Sequence, residues 1–186
     1  MKSELKERGQ VTFPEHTGER IYMVPFTKAQ GLPKEYARWQ PTVDAMLADI
    51  HTDGPIYLMV DQGEVSPNKS HRRPRPHIDG NWIPEKNCHS TGSGSGGHKT
   101  KRGSLYDEAV ILASDVSASC AYVGEFNGEF GEGGDCSHLD LSGLNRVQLQ
   151  AGRAYSGNVT MIHESLPVNF TAKRTLVRLN VPHIAI

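Results

Sequence analysis

The stretch LQAGRAYSGNVTMIHESLPVNFTAKRTLVRLNV, residues 149–181, decides how the chain folds. Gly152 marks a turn, Val159 to His163 is a strand-like run ending on a histidine, Pro167 marks a loop, and Thr175 to Val181 follows as a second strand behind Arg174. Two such runs joined by a loop predict a hairpin.

Upstream the same pattern recurs. Ile56 to Val60, Ala109 to Leu112, Ala121 to Val123 and Asn145 to Leu149 are short strand-like segments separated by glycine-rich or polar connectors. Helical spacing is found in Pro41 to Ile50, where Val43, Met46, Leu47 and Ile50 line one face and Pro41 suits a first turn. Asp53-Gly54-Pro55 then ends that element. A helical front followed by many short strands predicts a mainly β sandwich or barrel, with a helical N-terminal flank over residues 1–55 and a β core over 56–186.

A chain of 186 residues is long enough to bury one core and cramped for two domains. Hydrophobic residues make up 37% and charged residues 22%, and mean hydropathy is -0.49, an ordinary globular composition. No window reaches the ~18 consecutive apolar residues of a spanning helix, so no membrane is expected. The opening Met1 to Arg8 lacks the apolar core of a secretory signal, and the expected location is cytoplasmic. Cys88, Cys120 and Cys136, odd in number and widely spaced, make a poor disulfide framework and suit a reducing compartment. A formal net charge of -1 argues against a surface built wholly for nucleic acid.

Chemistry is best sought among the histidines. Residues i and i+2 of a strand point to one side, so His-x-Asp on a strand can turn two ligands toward one ion. The pair occurs three times: His51/Asp53, His77/Asp79 and His138/Asp140. Chance alone supplies about 0.4 such pairs in a chain of this composition, so context must choose. Asp53 opens an Asp-Gly-Pro turn, where an aspartate bonds its own backbone. His138 precedes His163 by only 25 residues, a short interval for the body of a barrel. His77/Asp79 follows the Ile56 to Val60 strand, leaves 86 residues before His163, and is the favoured pair.

With His77, Asp79, His163 and Arg174 placed in this order, residues 56 to 181 resemble the Fe(II)- and 2-oxoglutarate-dependent dioxygenase superfamily. Its pattern is His-x-Asp, a distal His and an Arg about ten residues later. The resemblance implies a double-stranded β-helix, a jelly-roll or cupin-like barrel holding the iron at its open end. It makes His77, Asp79 and His163 the metal ligands and catalytic centre. Arg174 becomes the clamp for the distal carboxylate of 2-oxoglutarate, a task suited to a bidentate guanidinium. Arg178, four residues on and on the same strand face, is the second candidate for that clamp or a further anion contact. Many relatives carry Ser or Thr two residues after the clamp, where this chain has Leu176 or Asn180. The implied activity is a hydroxylase that turns 2-oxoglutarate and O2 into succinate and CO2 while oxidising a substrate.

Other readings compete at each position. His77 and Asp79 could be an exposed edge pair, His163 a hairpin cap, Arg174 a surface residue, and Arg178 half of a cross-strand ion pair. The rivals as a whole are a metal-free barrel used for binding or structure, and a cupin-like metalloenzyme that does not use 2-oxoglutarate. Lys69 to Arg75, with Lys99, Lys101 and Arg102, could draw an anionic substrate or nucleic acid to the pocket mouth, although no nucleic-acid motif is present. Otherwise that run is a solvated loop. Cys88-His89 and Cys136-Ser137-His138 lack the spacing of common zinc modules. Tyr57 and Trp82 are expected in the core. Ser90 to Gly97 reads as a flexible connector, and Gly124 to Asp135 as a hairpin tip or lid.

Overall fold

In the last strand of the chain, alternate side chains face two different cores, and the architecture follows from that. The computed structural model describes residues 1–80 and 107–186. Its strands are β1 (Lys2–Ser3), β2 (Leu5–Gln10), β3 (Arg20–Phe26), β4 (Ile56–Val65), β5 (Glu108–Ser114), β6 (Ser119–Glu125), β7 (Asn145–Leu149), β8 (Arg153–Gly157), β9 (Ile162–Ser165) and β10 (Ala172–Pro182). Among the described residues the one α-helix is α1 (Gln40–Met46), entered through a 3-10 turn at Lys34–Trp39.

Six strands form one antiparallel sheet in the order β2-β8-β5-β10-β4-β3. On its outer face Val177, Leu179 and Val181 of β10 pack with Trp39, Val43, Met46 and Leu47 from the α1 region. Each fully buried side chain of this size contributes roughly 1.5–3 kcal/mol. On the inner face Val110, Leu112 and Tyr155 meet Ala121 and Leu149 of a second sheet. That sheet has β7 on one edge of β6, with β1 and β9 both pairing the other. The protein is thus mainly β, two antiparallel sheets packed face to face.

The helix and the strands around residues 56, 109, 121 and 145 stand where the sequence puts them. Two expectations do not hold. β9 and β10 are not a hairpin: β9 pairs with β6, whereas β10 lies between β4 and β5 in the other sheet. The connection across residues 166–171 crosses the sandwich, and Val159 to Met161 precedes β9 as a turn. Nor is the segment before residue 56 a purely helical flank. β2 is a largely polar edge strand without the alternation that marks a buried one, and β3 carries a bulge between Ile21 and Val24. At that bulge Met23 adopts φ +48°, which hides the period of two. Residues 124–135 open the long connection of a hairpin, since β6 and β7 pair antiparallel, and that connection is packed down. Phe126 is buried beside Ile78, and Asp135 forms a bridge to His77.

β8 has no strand signature in its sequence. It is built of Arg153, Ala154, Tyr155, Ser156 and Gly157, yet four of the five are buried because β2 and β5 flank it. Small residues suit a strand pressed between neighbours, whatever their intrinsic preference.

Gly134 shows how tightly the second sheet is joined to the His77 segment. Its φ is +78°, and a Cβ there would lie 2.3 Å from the carbonyl oxygen of Ile78. Gly134→Ala is therefore expected to lower unfolding free energy by more than about 1 kcal/mol, through positive φ and backbone clash together. Urea denaturation of the two proteins checks it, and equal midpoints would contradict the close approach.

Candidate metal centre

The chain leaving β4 does not wander before it reaches His77. Asn68 donates its backbone N–H to Val168 O (2.7 Å), and Val168 N donates to Lys69 O (3.1 Å). Ser165 N then donates to Arg73 O (2.9 Å). Further along, His77 N donates to His163 O (3.0 Å) and His163 N to His77 O (2.9 Å). On the other side Ile78 N donates to Gly134 O and Cys136 N to Pro76 O, both at 2.9 Å. Ile78 points into the cluster of Phe126, Cys136 and Ile162, so His77 and Asp79 turn to the opposite face.

There they meet His163. One ligand atom from each of His77, Asp79 and His163 lies within 4.8 Å of the other two. His163 Nε2 is 3.5 Å from Asp79 Oδ2, and the two imidazole centroids are 4.5 Å apart at 52°. The Nδ1 atoms face backbone carbonyls, His77 to Arg75 O at 2.6 Å and His163 to Met161 O at 3.1 Å. A carbonyl only accepts, so both Nδ1 atoms carry the proton and both Nε2 lone pairs are left for a cation.

The electrostatics agree with that role. Burial pushes His77 down to about 3, helped by the nearby charges of His163 and Arg73 and opposed by Asp79, so the ring is neutral at physiological pH. Burial works to raise the carboxyl of Asp79, yet the guanidinium of Arg178 and the ring of His163 override it and hold it well below the usual carboxylate range. The neutral imidazole of His77, the imidazole of His163 and an ionised carboxylate on one wall of a cleft are donors suited to a divalent first-row metal with open positions. Among the described residues Cys136 joins no cluster of candidate ligands: burial raises its thiol to about 12, and its Sγ faces Gly134 O.

Both arginines point inward from β10. Arg178 donates through Nη1 to Asp79 Oδ2 at 2.7 Å, with Nη2 3.6 Å from the sulfur of Met23. It holds the Asp79 carboxylate and is not positioned as the free clamp. Arg174 has no solvent exposure, and its donors go to three hydroxyls: Nε to Ser114 (3.1 Å), Nη1 to Ser165 (2.9 Å) and Nη2 to Ser119 (2.8 Å). Among the described residues no carboxylate lies within ion-pair distance of it. Burial lowers its pKa to about 10, which still leaves a cation at neutral pH. A buried charge with only neutral partners is costly unless an anion joins it.

The space beside these groups is a cleft lined by His77, Asp79, His163 and Arg178 together with Met59, Leu112 and Leu176. A second cleft shares Leu112, Ser119 and Leu176 with it and reaches Ser114, so the two meet beside the hydroxyls that hold Arg174.

The competing pairs lie elsewhere. His51 is exposed, and the Thr52 hydroxyl accepts from Gly54 N in the expected turn. His138 Nε2 lies 2.9 Å from Glu129 O, and Asp140 accepts from Ser142 N. Tyr57 is partly buried against Met59 and Leu176. Trp82, Cys88, His89, the 90–97 run, Lys99, Lys101 and Arg102 lie outside the described residues. The three serines around Arg174 went unseen in the sequence because isolated serines on separate strands carry no local signal. No helix among the described residues is long and apolar enough to cross a membrane. Neither the protein-family models nor the curated proteins compared with the chain match it.

The folded protein keeps His77 neutral down to about pH 3, whereas an unfolded chain protonates histidine near 6.5. Between those values the unfolded state binds more protons, so stability falls as pH drops through the window, by up to about 1.4 kcal/mol per pH unit. Urea denaturation of metal-free protein from pH 7.5 to 4.5 is expected to show a shallower slope in His77→Gln than in wild type. Identical slopes would remove the buried neutral imidazole.

Proposed function

We propose that the chain is a non-haem Fe(II)- and 2-oxoglutarate-dependent oxygenase, a hydroxylase of the double-stranded β-helix class. One juxtaposition supports this reading above all: His77, Asp79 and His163 share a cleft whose floor adjoins the fully buried, carboxylate-free guanidinium of Arg174. The strand order also favours it. From β4 onward the chain visits the larger sheet, the His77 segment, β5, then β6 and β7, then β8, β9 and β10, alternating between sheets as a double-stranded helix would. β4, β10, β5 and β8 lie adjacent in one sheet, and the His77 segment, β9, β6 and β7 in the other.

Fe(II) would be held by His77 Nε2, the Asp79 carboxylate and His163 Nε2, and it would supply activation of O2. The rest falls to the protein. The Nδ1 bonds to Arg75 O and Met161 O keep both rings oriented with their lone pairs free. Arg178 keeps Asp79 ionised and fixes its rotamer. Arg174, already stripped of water, receives the distal carboxylate of 2-oxoglutarate without having to be desolvated at the moment of binding. Its hydroxyl partners come from Ser114, Ser119 and Ser165, which answers the missing Ser or Thr at residue 176. Met59, Leu112 and Leu176 keep the cleft apolar beside the metal ligands.

Anaerobic titration of Fe(II) and 2-oxoglutarate into the protein, followed by the visible charge-transfer band, tests the reading. Wild type is expected to develop the band and His77→Ala to lack it. Arg174→Ala should weaken 2-oxoglutarate by at least ~30-fold, as expected for losing one partner of a buried charge pair. A metal-free binding module would take up no iron. A cupin-like enzyme without this cosubstrate would take up iron and show no band, and either result would overturn the proposal.

A further inference from the structure

We infer that the molecule oxidised at this site carries a carboxylate or phosphate, received by Arg73 at the cavity wall; the role of that molecule as substrate rests on the oxygenase reading above. The basic run Lys69 to Arg75 is not simply a solvated loop. Arg73 is held to β9, the strand of His163, through Ser165 N to Arg73 O (2.9 Å), and Arg72 N donates to the Ser165 hydroxyl (3.3 Å). Both side chains line the cleft with His77, Asp79 and His163, whereas Arg75 is exposed.

The charges along that wall are then accounted for one by one. Arg178 is bonded to Asp79, and Arg72 donates to Asp61 at 2.6 Å. The remaining wall carboxylate, Glu164, accepts from the Tyr122 hydroxyl at 2.6 Å and lies 3.4 Å from the Cys120 thiol. Arg174 sits behind, enclosed by its serines and committed to the cosubstrate. Arg73 differs from Arg72 and Arg178. It is half-buried, its Nη1 donates to the neutral carbonyl of Gly133 at 2.9 Å, and among the described residues no carboxylate lies within ion-pair distance.

Such a guanidinium keeps donors free in the planar fork that fits a carboxylate or phosphate. Partial burial leaves its attraction less screened than that of a surface arginine. Met59, Leu112 and Leu176 in the same cleft add an apolar surface, so the complementary ligand has an apolar body and an anionic end.

Three probes of one shape test this: butyrate, butyl phosphate and the neutral butyramide. Each is titrated calorimetrically into full-length protein under anaerobic conditions, with Fe(II) and saturating oxalylglycine, which occupies Arg174. Wild type is expected to bind one of the anions at least tenfold more tightly than the amide, and the better anion tells carboxylate from phosphate. Arg73→Gln should abolish that preference, and Arg73→Lys should retain part of it. In wild type alone, raising NaCl from 50 to 500 mM should weaken the anion and leave the amide unchanged, a readout that does not depend on any variant folding.

Equal binding of amide and anions, or a preference that survives in Arg73→Gln, would overturn the assignment. The two proposals fail separately. A missing charge-transfer band with an intact Arg73-dependent preference removes the oxygenase and keeps the anion site. A normal band without the preference does the reverse.

Discussion

Two backbone hydrogen bonds between His77 and His163 hold the site together. They join segments 86 residues apart and put both imidazoles on one side of the cleft before any metal is considered. Neither strand could impose this alone. β9 is only four residues long, and the His77 segment is no regular strand but a run of bridges to His163 and Asp135. Its other edge depends on Gly134 and Cys136, so a glycine with positive φ far along the chain helps to place the candidate ligands.

Around that bridge the protein arranges buried charge with unusual asymmetry. Asp79 is neutralised directly by Arg178, a pairing that keeps a carboxylate ionised where burial would otherwise protonate it. Arg174, on the same strand face two pleat repeats earlier, donates only to hydroxyls. The first guanidinium is bonded to a carboxylate and the second to hydroxyls, and the difference separates the two arginines that strand alternation could not tell apart.

Much of this was legible in the residues. The period of Val43, Met46, Leu47 and Ile50 marked α1, and the apolar runs at 56, 109 and 121 marked central strands, since burial on a strand face selects β-branched and apolar side chains. The alternation at 145 marked the edge strand β7. β2 and β8 escaped because an edge strand needs no apolar face and a strand between close neighbours needs small residues. The link from β9 to β10 read as a hairpin because turn residues mark where a chain bends and do not say which sheet it enters next.

By itself the sequence determined a mainly β chain with one short helix and the identities of His77, Asp79, His163, Arg174 and Arg178, because residue type and period record local chemistry. Only the tertiary structure decided that the three candidate ligand atoms converge, that Arg178 bonds Asp79 while Arg174 bonds three serines, and that Arg73 lines the cleft. Those facts depend on distances between segments scores of residues apart, and no local pattern encodes them.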